Sequence, residues 1–429
     1  MMHKPTGVRG LLWCVALLLA GATGPAAAQS ASAPQPAASG AAGEAAPTVR
    51  AEIATPLIEA QRLLGEKNTR AAADKVRLAE AVPDKTAYEQ HVLARVKGAI
   101  GVLSGDADLA AAQYQIASTG PWMKLADKLS TLQAVASLYY HAKNYTKAID
   151  AFLDYKQLGG NDPTLNQLLA QSYYLNADYA NAAKALEAIT GQTLAQGKVP
   201  PEMQFKLLAD ARGRLRDTAG HTRVLETLVQ HYPSQANWRS LMSRLWARPQ
   251  LATRLQLEVF RLQLLNAGLA DATDYTDMAA LALQEGASIE AAKILEQGYA
   301  AGLLARGEKG TELQRLTDKV NKSATEDRAS LEKDLVRART LPDGLALFNY
   351  GFNLFHTGQT ERGVAQMEQA LGKGIARNAD MARLRLVAVY AEVKQRDKAL
   401  KLLTELAGKT DPIGFDDCVR YWNLFLQRP

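Results

Sequence analysis

One stretch of sixteen residues occurs twice in this chain, 34 residues apart. The sequence SLYYHAKNYTKAIDAF begins at Ser137, and QSYYLNADYANAAKAL begins at Gln171. The two copies share three tyrosines and one alanine: Tyr139, Tyr140, Tyr145 and Ala148 in the first, and Tyr173, Tyr174, Tyr179 and Ala182 in the second. A period of this length indicates a supersecondary unit that buries its apolar face by stacking on the next unit.

The chain from Ala51 onward predicts helix after helix. Apolar residues return at spacings of three and four, and no convincing period-two strand is present. Ala136 and Ala148 lie 12 residues apart on opposite sides of a turn, where two antiparallel helices must approach closely. The predicted fold class is therefore all-α, built from helix-turn-helix units.

The spacing of small and large residues resembles the tetratricopeptide repeat (TPR) family. The matching positions are Leu132, Val135, Ala136, Tyr139, Ala148, Phe152 and Tyr155, then Asn166, Leu169, Ala170, Tyr173, Ala182, Leu186 and Ile189. The resemblance implies a right-handed α-solenoid of about ten helix pairs, six or seven of them recognisable, with a C-terminal capping helix.

The same spacing of 12 residues recurs along most of the chain, although His221 and Val387 are not small. The pairs are Ala60 with Ala72, Ala209 with His221, Ala279 with Ala291, Gly351 with Gly363, and Val387 with Ala399. Two spans, Trp238 to Asn266 and Thr311 to Ala338, have room for a helix pair without the consensus. We expect the clearest repeats at 129–195, degenerate repeats at 51–128 and 196–410, and the capping helix at 413–427.

The first 50 residues predict export. Lys4 and Arg9 precede an apolar run, and small residues up to Ala28 suit a signal peptidase, so residues 1–28 are predicted to be a cleaved signal peptide. A retained membrane helix or a lipoprotein built on Cys14 is less favoured, because the run is short and Trp13 precedes the cysteine. Residues 29–50 predict a flexible linker rich in Ala, Pro and Ser.

The composition argues against several function classes. Cleavage would remove two basic residues and lower the net charge from +6 to +4, and no basic cluster indicates nucleic-acid binding. Cys418 would be the remaining cysteine, which predicts a buried apolar role and no disulfide. The histidines lack zinc-ligand spacing, and no Gly-x-Ser-x-Gly elbow occurs. We therefore expect no metal, no cofactor and no catalytic residues, and predict that the protein is not an enzyme.

The resemblance also suggests a binding surface. In TPR superhelices the first helix of each pair lines the concave side, which makes Tyr139 and Tyr173 packing residues and the next tyrosines candidate binding residues. Asp210 stands where some members carry the Asn of a carboxylate clamp, so that clamp is not expected. The candidate partner-binding residues are Gln133, Ser137, Tyr140, His141, Gln167, Gln171, Tyr174 and Lys206, together with the row Phe348, Phe352 and Phe355. That row is either an apolar peptide groove or a surface covered by the superhelix itself.

The expected function is that of a periplasmic interaction scaffold. The runs LGGNDPTLNQLLAQSYYLNADYANAAKAL and DMAALALQEGASIEAAKILEQGYAAG resemble exported bacterial TPR proteins, some of which are associated with TonB-type energy-transduction systems. The expected partner is a peptide or protein, with no nucleic acid and no stable membrane span after cleavage. The alternative is a polysaccharide-binding TPR protein of envelope or exopolysaccharide biogenesis, because Tyr and Asn in a groove also suit sugars.

Overall fold

The computed structural model describes residues 47–305 and 311–428, and these contain 20 helices and no strand. They form two compact units, of which unit 1 ends at Lys198, with Arg214–Arg216 added to it, and unit 2 takes the rest. The helices of unit 1 are α1 (Ala51–Gly65), α2 (Thr69–Glu80), α3 (Ala87–Ser104), α4 (Ala107–Ser118), α5 (Leu125–His141), α6 (Tyr145–Gln157), α7 (Pro163–Leu175) and α8 (Tyr179–Ala195).

Unit 2 contains five helix pairs and two further helices among the described residues. They are α9 (Glu202–Arg214), α10 (Thr218–His231), α11 (Gln235–Trp246), α12 (Thr253–Asn266), α13 (Ala272–Gln284), α14 (Ser288–Ala300), α15 (Glu312–Thr340), α16 (Leu345–His356), α17 (Thr360–Lys373), α18 (Ala379–Glu392), α19 (Arg396–Leu406) and α20 (Phe415–Leu426).

Each pair in unit 1 turns in the same way. A residue with positive φ, such as Lys143 at 60°, is followed by an Asn or Asp that caps the second helix. The cap satisfies one of the backbone N–H groups that the first turn of a helix leaves unpaired. The four caps are Asn68, Asp106, Asn144 and Asp178, and each accepts a hydrogen bond from the backbone N–H three residues later.

The predicted small-residue contacts are confirmed. Ala136 and Ala148 are fully buried, and Phe152 fills the space beside them. In unit 2, a Cβ added at Gly351 would lie 2.7 Å from the carbonyl oxygen of Gly363, so α16 and α17 approach too closely for any side chain there. The α3–α4 pair follows the same rule with Gly98 and Ala110, a spacing of 12 that the sequence comparison missed.

Unit 2 closes on itself. The last helix, α20, packs against α10, α12, α18 and α19, and α12 also packs against α18. Phe415, Cys418 and Trp422 are fully buried in these contacts, which confirms the apolar role predicted for Cys418. The C-terminal helix therefore caps the stack and also joins its end to earlier helices of the unit.

Three sequence expectations need comment. The span from Thr311 to Ala338 is one helix and not a pair, because no turn interrupts α15. The single stack expected over 51–429 is divided into two compact units. The predicted signal peptide, Cys14 and most of the linker lie outside the described residues. None of the helices in the described ranges combines the length and apolar character that a membrane crossing requires.

Candidate binding sites

The predicted tyrosine surface in unit 1 is held together by a hydrogen bond between two repeats. The Tyr140 hydroxyl on α5 donates to Oε1 of Gln171 on α7, with 2.8 Å between the oxygens. Tyr140 is half-buried against the core, and burial raises the pKa of its hydroxyl. Tyr140 therefore contributes to stacking, whereas the sequence analysis expects it to serve binding alone.

The remaining predicted residues of unit 1 lie along the same two helices. His141 and Gln167 are exposed, whereas Gln133 and Ser137 are half-buried, and the Ser137 hydroxyl donates to the Gln133 carbonyl oxygen at 2.7 Å. We call this surface the A-helix face, and it consists of Gln133, Ser137, Tyr140, His141, Gln167, Gln171 and Tyr174.

The packing role predicted for the preceding tyrosines is supported by burial. Tyr139 is 7% exposed, and its hydroxyl donates to Asp108 at 2.9 Å. Lys147 donates to the same carboxylate oxygen, so Asp108 links α4, α5 and α6. Tyr173 is half-buried and packs against the same core.

Two predicted parts of the site belong to unit 2. Lys206 is exposed on α9 and forms an ion pair with Glu202 at 2.8 Å. The phenylalanine row on α16 is buried: Phe348, Phe352 and Phe355 are 1%, 3% and 7% exposed. Of the two interpretations, the structure therefore selects the self-covered surface, and the row presents no groove to a peptide.

The cover over Phe352 is made by charged side chains. The guanidinium groups of Arg261 on α12 and Arg385 on α18 lie 5.0 and 5.2 Å from the centre of the Phe352 ring. A cation over an aromatic face is a favourable contact, and it is stronger where water is excluded. The row is covered because α12 and α18 meet over α16, which a linear repeat would not do.

Sequence reasoning missed a cleft of about 530 Å³ in unit 1. It lies between α4, α5 and α6, on the side of α5 opposite the A-helix face, as the helical period requires. The Tyr114 hydroxyl is buried at this cleft without a hydrogen-bond partner among the described residues, and burial raises its pKa. The lining includes Tyr114, Met123, Thr131, Val135, Ala151 and Asp154.

A second missed site is a charged cavity of about 400 Å³ in unit 2. Arg261 lines it and donates from Nε and Nη2 to the two oxygens of Glu290, at 2.7 and 2.5 Å. Its Nη1 donates to Glu258, which also accepts from Arg385 at 3.2 Å. Both glutamates and Arg261 are at most 5% exposed, so these are charges buried with their partners.

Burial and charge oppose each other in this cluster. Burial disfavours ionised Glu290, but the charge and hydrogen bonds of Arg261 outweigh it and lower the pKa of Glu290. Burial lowers the pKa of His356 to about 4, so the imidazole is neutral at pH 7. Burial raises the pKa of Glu392 at the same cavity.

Neither missed site carries a strong sequence signal. Glu258 and Arg261 lie three residues apart in an apolar helix, where a charged pair at that spacing indicates a buried ion pair. Their partners on α14 and α18 are distant in sequence and obey no spacing rule. Within 47–305 and 311–428, no cluster of three or more His, Cys, Asp or Glu side chains could hold a metal ion.

Comparisons with known proteins add little to this picture. No family model matches the chain, and no curated protein matches it. Similar solved structures include the TPR2AB domain of yeast Sti1 in complex with pHSP90, at 14% identity and TM-score 0.24, covering 70% of this chain and 99% of that chain. Naa15/Naa10 bound to HypK-THB matches at 13% identity and TM-score 0.30, covering 85% and 64%, and NprR with its cognate peptide NprX at 10% and 0.22, covering 88% and 98%.

These TM-scores are low, so the fold assignment rests on the chain's own helices. Consecutive helices pack in pairs, the second helices in unit 1 begin at the same kind of cap, and small residues meet 12 positions apart. The described residues therefore form a tetratricopeptide-like α-solenoid.

Proposed function

We propose that the protein is a non-catalytic interaction scaffold that holds an extended peptide or a segment of a partner protein on the A-helix face of unit 1. The observation that carries this proposal is the hydrogen bond from Tyr140 to Gln171, which fixes two aromatic and amide-bearing helices side by side. Tyrosine offers a large contact area at low entropy cost, and side-chain amides can pair with a peptide backbone.

The contrast with unit 2 supports the choice of this face. The corresponding row on α16 is covered by α12 and α18, whereas α5 and α7 keep His141 and Gln167 exposed. A peptide needs such a solvent-facing surface with fixed anchors, because ordering mobile side chains on binding costs affinity. We therefore place the partner on α5 and α7.

The proposal is tested by crosslinking followed by measured affinity. A photoreactive residue at Gln167 is expected to capture one partner in cells, and the same residue at Lys184 on α8 serves as the control position. With that partner purified, Tyr140→Ala combined with Tyr174→Ala should weaken binding about thirtyfold, as loss of binding hot spots does. Lys156→Ala with Lys184→Ala, two exposed changes on α6 and α8, should leave affinity unchanged.

A conservative variant separates binding from folding. Tyr140→Phe with Tyr174→Phe keeps the rings and removes the hydroxyl that reaches Gln171. Thermal unfolding of each variant confirms that unit 1 remains folded. Full partner affinity in the double alanine variant would refute the proposal, and saturable glycan binding without any protein partner would favour the polysaccharide alternative.

We also propose that the scaffold acts in the bacterial periplasm, within an envelope or TonB-type assembly. The support is the leader pattern that ends at Ala28 and the resemblance to exported proteins. Mass spectrometry of the cell-derived protein should find a mature chain that begins at Gln29. Recovery of the intact leader from the cytoplasmic fraction would contradict export.

A further inference from the structure

The charged cavity of unit 2 has an apolar wall and a polar mouth. Met278 and Ile294 are almost fully buried at its wall, and Leu265 lies beside them. Lys293 and Glu392 lie at the mouth with 3.7 Å between Nζ and Oε2, which is longer than a normal hydrogen bond. The cavity volume of about 400 Å³ falls within the roughly 300–1,000 Å³ typical of small-molecule sites.

His356 supplies an independent sign of a ligand. Both ring nitrogens are buried, and neither has a hydrogen-bond partner among the described residues. The ring lies 4.6 Å from Phe352 and 5.0 Å from Phe355, so packing holds the imidazole in place at the cavity. Buried polar atoms normally find a partner, and two such nitrogens on one fixed ring point to a bound group.

The charges around His356 favour an anion. Three cations and one carboxylate act on it: Arg261 from α12, Glu290 and Lys293 from α14, and Arg385 from α18. Arg261 is already paired with Glu290, whereas Lys293 is 45% exposed and only loosely paired with Glu392. Lys293 and His356 are therefore the groups that can still receive a negatively charged ligand.

We propose that this cavity is a binding site for a small organic carboxylate with an apolar chain. Lys293 and His356 receive the carboxylate, and the chain lies against Leu265, Met278 and Ile294. Glu392 competes with the ligand for Lys293, and its partly exposed side chain turns to solvent when the ligand binds. The site lies in unit 2 and stands independently of the function proposed for unit 1.

Calorimetric titration of the full chain tests this proposal. Isocaproate should bind saturably, and isocaproamide, which has the same shape without the charge, should bind at least about tenfold more weakly, as loss of a charge-assisted hydrogen bond predicts. N-acetyl-glycyl-leucine and its C-terminal amide distinguish a peptide terminus from a free acid as the source of the carboxylate. Binding of either acid in preference to its amide supports the proposal.

Four variants locate the ligand. Lys293→Met and His356→Phe should each weaken isocaproate binding about tenfold, and Glu392→Gln should tighten it because the competing carboxylate is gone. Lys319→Met, an exposed change on α15, is the matched control and should have no effect. The proposal is overturned if neither acid binds, if the amides bind equally well, or if Glu392→Gln weakens binding, since a weaker complex would mean that the ligand offers a cation.

Discussion

The two units use the same helix-pair architecture and stabilise it differently. Unit 1 is a regular series of four pairs with polar caps and a half-exposed A-helix face. Unit 2 departs from the repeat at α12 and α15, closes through α20 and buries a cluster of ion pairs. Stacking alone suffices for an open series, whereas closure brings helices together that share no repeat position.

The difference teaches where the sequence rules of a repeat stop. In unit 1 each helix meets its neighbours, so stability is close to a sum of local terms. In unit 2 the helix α12 has buried residues around most of its circumference, because it also meets α18 and α20. Changes in unit 2 should therefore have larger and less local effects than the same changes in unit 1.

The largest effect is expected from the buried ion cluster. Arg261→Leu leaves Glu258 and Glu290 buried without their partner and should lower the free energy of unfolding by about 3–5 kcal/mol. The measurement is chemical denaturation followed by tryptophan fluorescence. In unit 1, Arg62→Leu breaks exposed ion pairs with Glu59 and Glu66 and should cause no measurable change.

A combined variant sharpens this comparison. Replacing Glu258, Arg261 and Glu290 together by Leu, Met and Met removes the charges along with the need to pair them. This variant should be more stable than Arg261→Leu alone, because well-packed apolar residues can substitute for a buried ion cluster. Equal stability of Arg261→Leu and the wild type would show that the cluster is hydrated and that unit 2 is not closed as described.

The second effect is a loss of stability in mild acid through His356. Its pKa is lowered to about 4, so the unfolded chain binds more protons than the folded one between pH 6.5 and about 4. Stability from this residue is present above pH 6.5 and is lost as the pH falls to about 4, by about 3 kcal/mol. His356→Phe should flatten this part of the stability profile.

The matched histidine in unit 1 is His91. Burial lowers its pKa as well, but its Nδ1 lies 2.8 Å from the Ala117 carbonyl oxygen, which partly offsets burial. We expect His91→Phe to change the pH dependence less than His356→Phe does. The reverse order would show that the His356 nitrogens are solvated in solution.

The third effect comes from the close approach of α16 and α17. Gly351→Ala places a methyl group 2.7 Å from the Gly363 carbonyl oxygen and should cost about 1–3 kcal/mol, as overpacking does. Gly372→Ala on α17 meets no atom within 4 Å and should stabilise by about 0.5–1 kcal/mol. Thermal unfolding of the two variants compares them directly, and destabilisation by both would mean that helix geometry rather than contact is responsible.

The sequence predicts what is local and repeated. The all-α class, the pairs around Ala136 and Ala170, and a terminal helix near Phe415 follow from spacing, because each depends on contacts within one or two units. The pair formed by Gly98 and Ala110 was within reach of the same rule.

The rest depends on distant contacts. Burial of Phe352 requires α12 and α18 to meet over α16, and no spacing in the chain records that meeting. The half-buried state of Tyr140 is missed for a similar reason, because the partner of its hydroxyl, Gln171, lies in the next repeat. Repeat positions predict which face a residue occupies, but not how much of that face the neighbouring unit covers.

The smallest effect concerns the caps that distinguish the two units. Asn144 caps α6 through its side chain, so Asn144→Ala should cost about 1 kcal/mol. At the equivalent place in unit 2, Gln395 precedes α19 after Lys394 at φ 60° and makes no capping hydrogen bond. Gln395→Asp should therefore stabilise unit 2 by about 1 kcal/mol, whereas Gln395→Ala should be close to neutral. Paired denaturation curves measure both changes, and a neutral Gln395→Asp would show that closure through α20, rather than the start of α19, limits the stability of unit 2.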